Sequence, residues 1–316
     1  MSASKDRLRW IDLPEPVQTR IGQLVGGSVV AAANCEGGFS PGLAARLRLA
    51  DGRRAFVKAM DGSAWPYQAD FYRGEARVTA ALPAGLPTPR FLGCDDDGSW
   101  VILAFACVDG AEPARPWRES DLERVLAAAG QLVGVAPPVL PCVSDRNCRL
   151  GGWAGLAADD CRRERLAIQA PWAVSHLPLL MALEANGLTA VQGAALVHFD
   201  MYAHNILLTS KDVYFVDWPH ARVGAPFIDT VLLLASAVAD GVDPEPFIAA
   251  SPLTANVDPS AIDGLLAAQA GFCLAGALQP PQPGLEPIYT AKLELGIAAL
   301  DWLARRLGER AADANS

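Results

Sequence analysis

The sequence lacks long apolar runs of the kind that enter or cross a membrane. Although 51% of its 316 residues are hydrophobic, no run reaches the roughly 18 apolar residues that a membrane-spanning helix needs. The N-terminal segment, residues 1–16, also lacks the apolar core of a signal peptide. We therefore expect a cytoplasmic protein that has no membrane partner and has ample material for a hydrophobic core.

Paired cysteines are also missing. The seven cysteines are an odd number, lie scattered along the chain and form no C-x-x-C pair. This pattern argues against a disulfide framework and against a cysteine-based zinc site. We expect reduced thiols that pack as small hydrophobic side chains.

A surplus of basic residues is absent, since the net charge is −9. Residues 1–106 hold 12 Lys and Arg against 11 Asp and Glu, whereas the remainder holds 14 against 24, a net charge of −10. The acidic remainder argues against a nucleic-acid partner, because phosphate neutralisation needs a basic surface. The acidic remainder favours a cationic ligand, or it serves solubility alone.

The hydrophobic periodicity changes along the chain and predicts two parts of an α+β protein. Residues 1–106 predict a small β-rich part with a first helix ended by Gly26-Gly27, strands near 29–34, 44–49, 54–59 and 100–105, and a helix over 68–82. Residues 107–316 predict a larger, mostly helical part, with helices near 119–133, 161–169, 177–186, 228–239, 262–277 and 287–307.

A hairpin is predicted around Asp51-Gly52, a strong turn dipeptide. In the simplest register Ala45 pairs with Lys58, which places Lys58 on an apolar face with Phe56 and Leu47. A lysine there needs a partner, because an unpaired buried charge is costly.

The helix over 68–82 offers that partner. Phe71, Glu75, Val78 and Leu82 share one stripe, in which Glu75 carries the only charge. The two charges predict an internal Lys58–Glu75 ion pair. The alternative is that Lys58 reaches water and Glu75 lies at the edge of the stripe.

A second hairpin is predicted over residues 205–217, with a three-residue turn at 210–212. This register sets Thr209 against Val213 and therefore Asn205 against Asp217, whose side chains would share a face. An amide oxygen and a carboxylate side by side are suitable ligands for Mg2+ shared with phosphate oxygens.

Asp200 lies just before this hairpin, where a carboxylate can accept the proton of an attacking hydroxyl. Phosphoryl transfer needs little beyond a positioned hydroxyl and neutralised phosphates. Lys58 could hold α- and β-phosphates, and backbone N–H groups of the glycine-bearing turn at 37–42 could cover the β- and γ-phosphates.

Residues 198–205, HFDMYAHN, resemble the H-x-D-x-x-x-x-N catalytic loop of the aminoglycoside phosphotransferase-like family, which is related to protein kinases and choline kinases. Asp217-Trp218 resembles the metal-binding Asp and aromatic of that family. The resemblance implies a two-lobed protein-kinase-like fold, a 1–106 nucleotide-binding lobe, a 107–316 catalytic lobe, and ATP or GTP with Mg2+.

The resemblance also implies a role for each matching residue. Asp200 would be the catalytic base, Asn205 and Asp217 the magnesium ligands, and His198 and Asp229 the supports of the loop. The nucleotide would meet Lys58, Glu75, Gly37, Gly38, Ser40 and the backbone of Ala106 and Val108.

Departures from protein kinases restrict the acceptor to a small molecule. Pro219 replaces the glycine of D-F-G, and the segment from Asp217 to Asp229 is too short for an activation loop. The first expectation is an aminoglycoside or another hydroxylated antibiotic, with choline, homoserine or a sugar as the alternative. The enzyme could be a monomer or a homodimer.

Two other functions stay open at this point. A metal hydrolase would use His198, Asp200 and His204, although this spacing does not match a helical zinc motif. A pseudokinase would bind nucleotide without transfer, although no catalytic side chain is missing. Candidate acceptor-binding residues are Asp159, Asp160, Glu184, Asp263 and Glu294, with Trp153, Trp172 and Trp302 available for an aromatic cage.

Overall fold

The computed structural model describes residues 7–35, 40–145, 149–280 and 286–313. Within them the chain divides into two compact units. The first comprises the chain up to Pro113 together with Ala203–Ala221, and the second comprises Ala114–Tyr202 and the chain from Arg222 onward. The sequence-based boundary lay after Ala106 and left the 203–221 segment in the second part.

The α+β class is confirmed. In chain order the strands are β1 (Val29–Asn34), β2 (Leu43–Leu49), β3 (Arg54–Asp61), β4 (Phe91–Asp96), β5 (Trp100–Ala106), β6 (Ala195–Val197), β7 (Ile206–Leu208), β8 (Val213–Phe215) and β9 (Arg222–Gly224). The helices are α1 (Glu15–Val25), α2 (Pro66–Ala81), α3 (Glu119–Val133), α4 (Trp153–Ala158), α5 (Asp160–Gln169), α6 (Pro171–Ser175), α7 (Leu177–Ala190), α8 (Ile228–Val238), α9 (Glu245–Ala250), α10 (Pro259–Ala277) and α11 (Glu286–Asp313).

The first unit is built on a five-stranded antiparallel sheet in the order β1-β2-β3-β5-β4. Side chains alternate between its two faces. One face of β3, with Ala55 and Val57, packs with Val17 and Ile21 of α1. The other face, with Met60, packs against α2.

The β2–β3 hairpin differs by one residue from the predicted register. Ala44 lies opposite Lys58, and the longer turn places Gly52 at a left-handed φ of 86°. Glycine adopts this conformation without steric cost. A shift of one residue moves every β2 side chain to the other face, so the prediction that Leu47 shares a face with Lys58 was wrong. Leu47 lies with the α1 core.

The β7–β8 hairpin also differs by one residue from the predicted register. Leu208 lies opposite Val213, and the backbone N–H of Val216 donates to the carbonyl of Asn205 at 2.9 Å. The prediction that Asn205 lies directly opposite Asp217 was therefore wrong.

Thr209 explains the shift of the β7–β8 register. Its Oγ1 accepts hydrogen bonds from the backbone N–H groups of Lys211 at 3.2 Å and Asp212 at 2.8 Å. Threonine hydroxyls stabilise turns in this way. Thr209 thus becomes part of the turn instead of the last residue of the strand.

Backbone hydrogen bonds join this hairpin to the rest of the first unit. Phe215 N donates to Pro87 O at 2.7 Å, and Leu208 and Ala111 exchange hydrogen bonds at 2.8 and 3.0 Å. Because these bonds involve the main chain, no side-chain pattern predicted them. They explain why the 203–221 segment belongs to the first unit.

The second unit is organised around α10, which packs against α4, α7, α8 and α11. By length and composition α10 is apolar enough to cross a membrane, but 67% of its most apolar window is buried inside the protein. This burial is typical of a core helix. The predicted long helices are all present, whereas β4, β9, α4, α6 and α9 were not predicted, since such short elements carry little periodicity.

Two glycines allow α7 and α10 to meet at their backbones. A Cβ atom added at Gly187 would lie 2.2 Å from the main chain of Gly264, and one added at Gly264 would lie 2.6 Å from Gly187. No real structure holds such contacts, so any side chain here would separate the two helices.

We expect Gly264→Ala to lower the free energy of unfolding by about 1–3 kcal/mol, the usual cost of overpacking a core. Gly74→Ala in α2 is the matched control, because among the described residues, apart from its two chain neighbours and its own helix backbone, no atom lies within 4 Å of the place that the added methyl group would take. Alanine there should stabilise the helix by about 0.5–1 kcal/mol. Urea unfolding measures both, and equal midpoints for the two variants would contradict the close helix contact.

Candidate active site

The first unit holds a lysine with two carboxylate neighbours. The Nζ atom of Lys58 lies 2.8 Å from both carboxylate oxygens of Glu75, so the predicted ion pair is present. Side-chain exposure is 13% for Lys58 and 3% for Glu75. Lys58 comes from the middle of β3 and Glu75 from the sheet-facing side of α2, which fixes both ends of the pair.

The pKa values follow from burial and charge. Burial opposes the charge of Lys58, but the carboxylates of Asp217 and Glu75 outweigh it and raise the pKa of Lys58. Burial also raises the pKa of Glu75, and the Lys58 ammonium opposes this shift. A charge-assisted pair at 2.8 Å keeps Lys58 protonated throughout the physiological range.

Asp217 brings a second carboxylate to Lys58. Its Oδ1 lies 3.2 Å from Lys58 Nζ, and its side chain is 44% exposed. The backbone of Asp217 has a left-handed φ of 65°, a conformation that is costly for an aspartate and that clusters at functional sites. Next to it, buried Trp218 donates its indole N–H to Phe215 O at 3.0 Å and fixes the chain after β8.

Asn205 lies in the same unit as Asp217 and Lys58. It ends a 3-10 turn, Ala203–Asn205, directly before β7, and is 3% exposed. Asn205 and Asp217 are the two residues expected to bind Mg2+, and they suit it chemically. Mg2+ is commonly held by one or two protein oxygens together with substrate phosphates and water, and half-exposed Asp217 leaves room for these.

The remaining residues expected to meet the nucleotide lie near the ends of two interior strands, β2 and β5. Ser40 Oγ is 3.1 Å from Tyr72 Oη, and the Tyr72 ring centroid is 6.0 Å from Lys58 Nζ. Ala106 ends β5, and Val108 follows it in the connecting segment. Gly37 and Gly38 lie outside the described residues.

In the second unit, Asp229 supports the loop that carries Asp200. Its two carboxylate oxygens accept hydrogen bonds from the backbone N–H groups of His198 at 2.7 Å and Phe199 at 2.9 Å. Phe199 has a left-handed φ of 63°, so these bonds hold a strained backbone. Burial raises the pKa of Asp229 to about 7, although both N–H donors lower it.

Asp200 is 13% exposed and forms an ion pair that the sequence did not reveal. Arg149 Nη1 lies 2.6 Å from Asp200 Oδ1, although 51 residues separate the two positions. The carbonyl of Asp200 accepts a hydrogen bond from Tyr202 N at 3.0 Å, which closes a tight turn. The only local signal at Arg149 was its place before Gly151-Gly152, which does not identify a partner.

Several candidate acceptor-binding residues have structural partners instead. Asp263 is 1% exposed and lies 2.7 Å from Arg306. Trp153 is buried and donates to Ala267 O, and Trp302 is buried and donates to Glu245. These two tryptophans therefore do not line an aromatic cage.

The other candidates include one half-buried carboxylate that accepts backbone hydrogen bonds, and several more exposed groups. Glu184 Oε2 accepts backbone hydrogen bonds from Gly152 at 2.8 Å and Trp153 at 3.3 Å, so it stabilises the turn before α4. Asp159, Asp160, Trp172 and Glu294 lie at least partly exposed, and the two aspartates pair with arginines of α5.

The metal-hydrolase alternative gains no support. In the described part of the chain, no three His, Cys, Asp or Glu side chains cluster closely enough to hold a metal ion. His198 is fully buried, with its backbone bonded to Asp229. The six cysteines in that part are free thiols, but three of them are exposed, so the expectation that they pack as small hydrophobic side chains was wrong for these three.

A model of the phosphotransferase enzyme family matches residues 36–265. A search of curated protein sequences gave no match.

Solved structures share the fold at low sequence identity. A choline/ethanolamine kinase family protein from Mesorhizobium loti has 15% identity and a TM-score of 0.60, covering 93% of this chain and 97% of its own. A GDP complex of an aminoglycoside 2'-phosphotransferase variant has 14% identity and a TM-score of 0.53, covering 95% and 99%. An amicoumacin kinase in complex with AMP-PNP and Ca2+ has 11% identity and a TM-score of 0.51, covering 90% and 94%.

We expect Glu75→Gln to lower the free energy of unfolding by on the order of 2 kcal/mol, because it leaves the buried Lys58 charge with Asp217 alone. Asp70→Asn is the matched control on α2, since it removes an exposed ion pair with Arg73 and should cost about 0.5 kcal/mol or less. Urea unfolding of both variants measures the difference. Equal losses would mean that the Lys58–Glu75 pair adds nothing to the stability of the first unit.

Proposed function

The chain belongs to the phosphotransferase enzyme family, and we propose that it transfers the γ-phosphoryl group of ATP to a hydroxyl group of a small molecule. The observation that carries this proposal is the Lys58 centre of the first unit, in which one buried cation meets Glu75 at 2.8 Å and Asp217 at 3.2 Å. A protonated lysine held in this way suits phosphate binding.

ATP is the proposed phosphoryl donor, with GTP as the alternative. Lys58 binds the α- and β-phosphates, and Glu75 holds its side chain in position. Ser40 contributes a further contact to the phosphates, and the backbone of Ala106 and Val108 contacts the purine. Among proteins of the same fold, one binds AMP-PNP and another binds GDP, which supports a nucleotide without choosing between the two bases.

Asn205 and Asp217 would hold Mg2+ together with phosphate oxygens of the nucleotide. Both offer hard oxygen ligands, and the exposed fraction of Asp217 is consistent with a ligand that shares its ion with a substrate. When bound, the ion neutralises charge that develops on the transferred phosphoryl group.

Asp200 receives the acceptor hydroxyl. The hydroxyl oxygen forms a new bond to the γ-phosphorus while the bond to the bridging β–γ oxygen breaks and ADP leaves. Asp200 takes the hydroxyl proton, and Asp229 keeps the Asp200 loop in place through His198 and Phe199. Most of the rate acceleration then comes from positioning and electrostatics.

The acceptor is a small hydroxylated compound, and the reaction takes place in the cytoplasm, where ATP and Mg2+ are available. A hydroxylated antibiotic, including an aminoglycoside, is the first group of candidates. Choline, homoserine and sugars are the second. A pseudokinase is disfavoured because Lys58, Asp200, Asn205 and Asp217 are all present.

The proposal is tested by an assay of phosphoryl transfer from ATP. The protein is incubated with Mg2+ and ATP against both groups of candidates, and mass spectrometry detects any product heavier by one phosphate. We expect Asp200→Asn to reduce turnover by about 100-fold or more, as for other general bases, and Asp217→Ala to abolish it. Asp70→Asn is the control, because that side chain is 75% exposed on α2 and has no proposed role in the reaction.

Transfer by the wild-type protein that persists unchanged in the Asp200→Asn variant would refute the assigned base. Nucleotide binding without transfer to any acceptor in either group would favour the pseudokinase instead.

A further inference from the structure

The carboxylate proposed to receive the acceptor hydroxyl already contacts a cation. Arg149 Nη1 lies 2.6 Å from Asp200 Oδ1, and the Arg149 side chain is 28% exposed. Burial opposes the charge of Arg149, but Asp200 outweighs it and raises the pKa of the guanidinium. Any acceptor that reaches Asp200 therefore meets a guanidinium at the same place.

The position of Arg149 is built into the fold. The backbone that follows it is attached to α10, since Gly151 N donates to Ala268 O at 2.7 Å. Glu184 Oε2 accepts from Gly152 N at 2.8 Å, and a Cβ at Gly152 would lie 2.6 Å from Gly271 O. This close approach to α10 holds the start of the turn, and with it Arg149, at one place in the second unit.

A second cation lies near the aromatic ring that Arg149 contacts. The Phe272 ring centroid is 5.7 Å from Arg149 Cζ and 4.8 Å from Lys292 Nζ. Lys292 comes from α11 and packs against Gly276 of α10, where an added Cβ would lie 2.8 Å from Nζ. Glycine at 276 leaves room for the Lys292 side chain, which would have to shift to accommodate a larger residue.

Of the two cations near the Phe272 ring, only Arg149 pairs with a carboxylate of the described residues. Asp200 is the carboxylate paired with Arg149, and among the described residues no carboxylate oxygen lies within 4 Å of Lys292 Nζ. Burial lowers the pKa of Lys292, and the charge of Arg149 lowers it further. Two like charges near one ring, with one counter-charge, favour a ligand that brings negative charge.

We propose that the acceptor carries an anionic group, a carboxylate or a phosphate monoester, which Arg149 and Lys292 bind while the hydroxyl of the same acceptor meets Asp200. The inference rests on the proposed function for the role of Asp200 and narrows its acceptor. Arg149 suits this task because its planar guanidinium can contact Asp200 with one nitrogen and an anion with another.

This proposal replaces the cationic acceptor suggested by the overall charge. The net charge of −10 over residues 107–316 is a property of the whole surface, whereas Asp200 contacts the cation Arg149, and a second cation, Lys292, lies near the same Phe272 ring as Arg149. Local charges act at short range and are screened less than distant surface charges. An aminoglycoside, as a polycation, is disfavoured at such a site.

Calorimetry tests binding separately from transfer. The probes are short hydroxycarboxylic acids, sugar monophosphates, uncharged sugars of matched size and aminoglycosides. Each is added to the 316-residue protein with and without saturating Mg2+ and AMP-PNP. We expect at least one anionic probe to bind more tightly than its uncharged counterpart. Hydroxy acids and sugar phosphates form separate arms, so the result identifies the anion.

Variants then assign the binding to these two residues. Arg149→Gln and Lys292→Gln should each weaken binding of the anionic probe by about 10-fold or more, as expected for loss of one charge-assisted hydrogen bond. Lys292→Gln leaves the Asp200 contact intact, so it separates anion binding from any folding defect of Arg149→Gln. Arg305→Gln, an exposed position on the same helix, should bind like the wild type.

The proposal is overturned if no anionic probe binds, if uncharged or cationic probes bind at least as well, or if both variants bind like the wild type. Failure of Mg2+ and AMP-PNP to bind would instead count against the proposed function, because that ligand does not need Arg149 or Lys292.

Discussion

The buried positive charge of Lys58 is the constraint around which the first unit is arranged. A lysine that is 13% exposed needs compensation, which Glu75 and Asp217 supply from α2 and from the end of β8. Both carboxylates must therefore be held close to the centre of β3. This requirement explains the burial of Glu75 on the sheet side of α2 and the attachment of the β7–β8 hairpin to the first unit through Pro87 and Ala111.

In the second unit, the position of Asp200 likewise depends on buried polar contacts. The backbone next to Asp200 is strained, since Phe199 has a left-handed φ. Buried Asp229 accepts hydrogen bonds from the backbone N–H groups of Phe199 and His198. Asp200 itself is fixed by Arg149, which the contacts of Gly151 and Gly152 attach to α10. In both units a buried carboxylate therefore compensates a group that is costly by itself: Glu75 the buried charge of Lys58, and Asp229 the strained backbone of Phe199.

Sequence reasoning was most successful where the signal is periodic or local. The long helices and the Lys58–Glu75 ion pair follow from apolar stripes and a turn, and both are present. The roles of Asp200, Asn205 and Asp217 come from a motif and stay predictions. Both hairpin registers were wrong by one residue, because they depend on the φ of Gly52 and on the hydroxyl of Thr209. Arg149 was missed because its contact with Asp200 spans 51 residues and comes from an irregular turn. No period or motif encodes such a contact.

The central claim is that the Lys58 centre binds a nucleotide together with magnesium. Isothermal titration of AMP-PNP into the wild-type protein, with and without Mg2+, tests it most directly, with Lys58→Met as the variant. The account predicts binding that Mg2+ strengthens by at least about 10-fold and that Lys58→Met weakens by a similar factor, since each change alters a charge-assisted contact with phosphate. Binding that is indifferent to both, or no binding at all, would contradict the account.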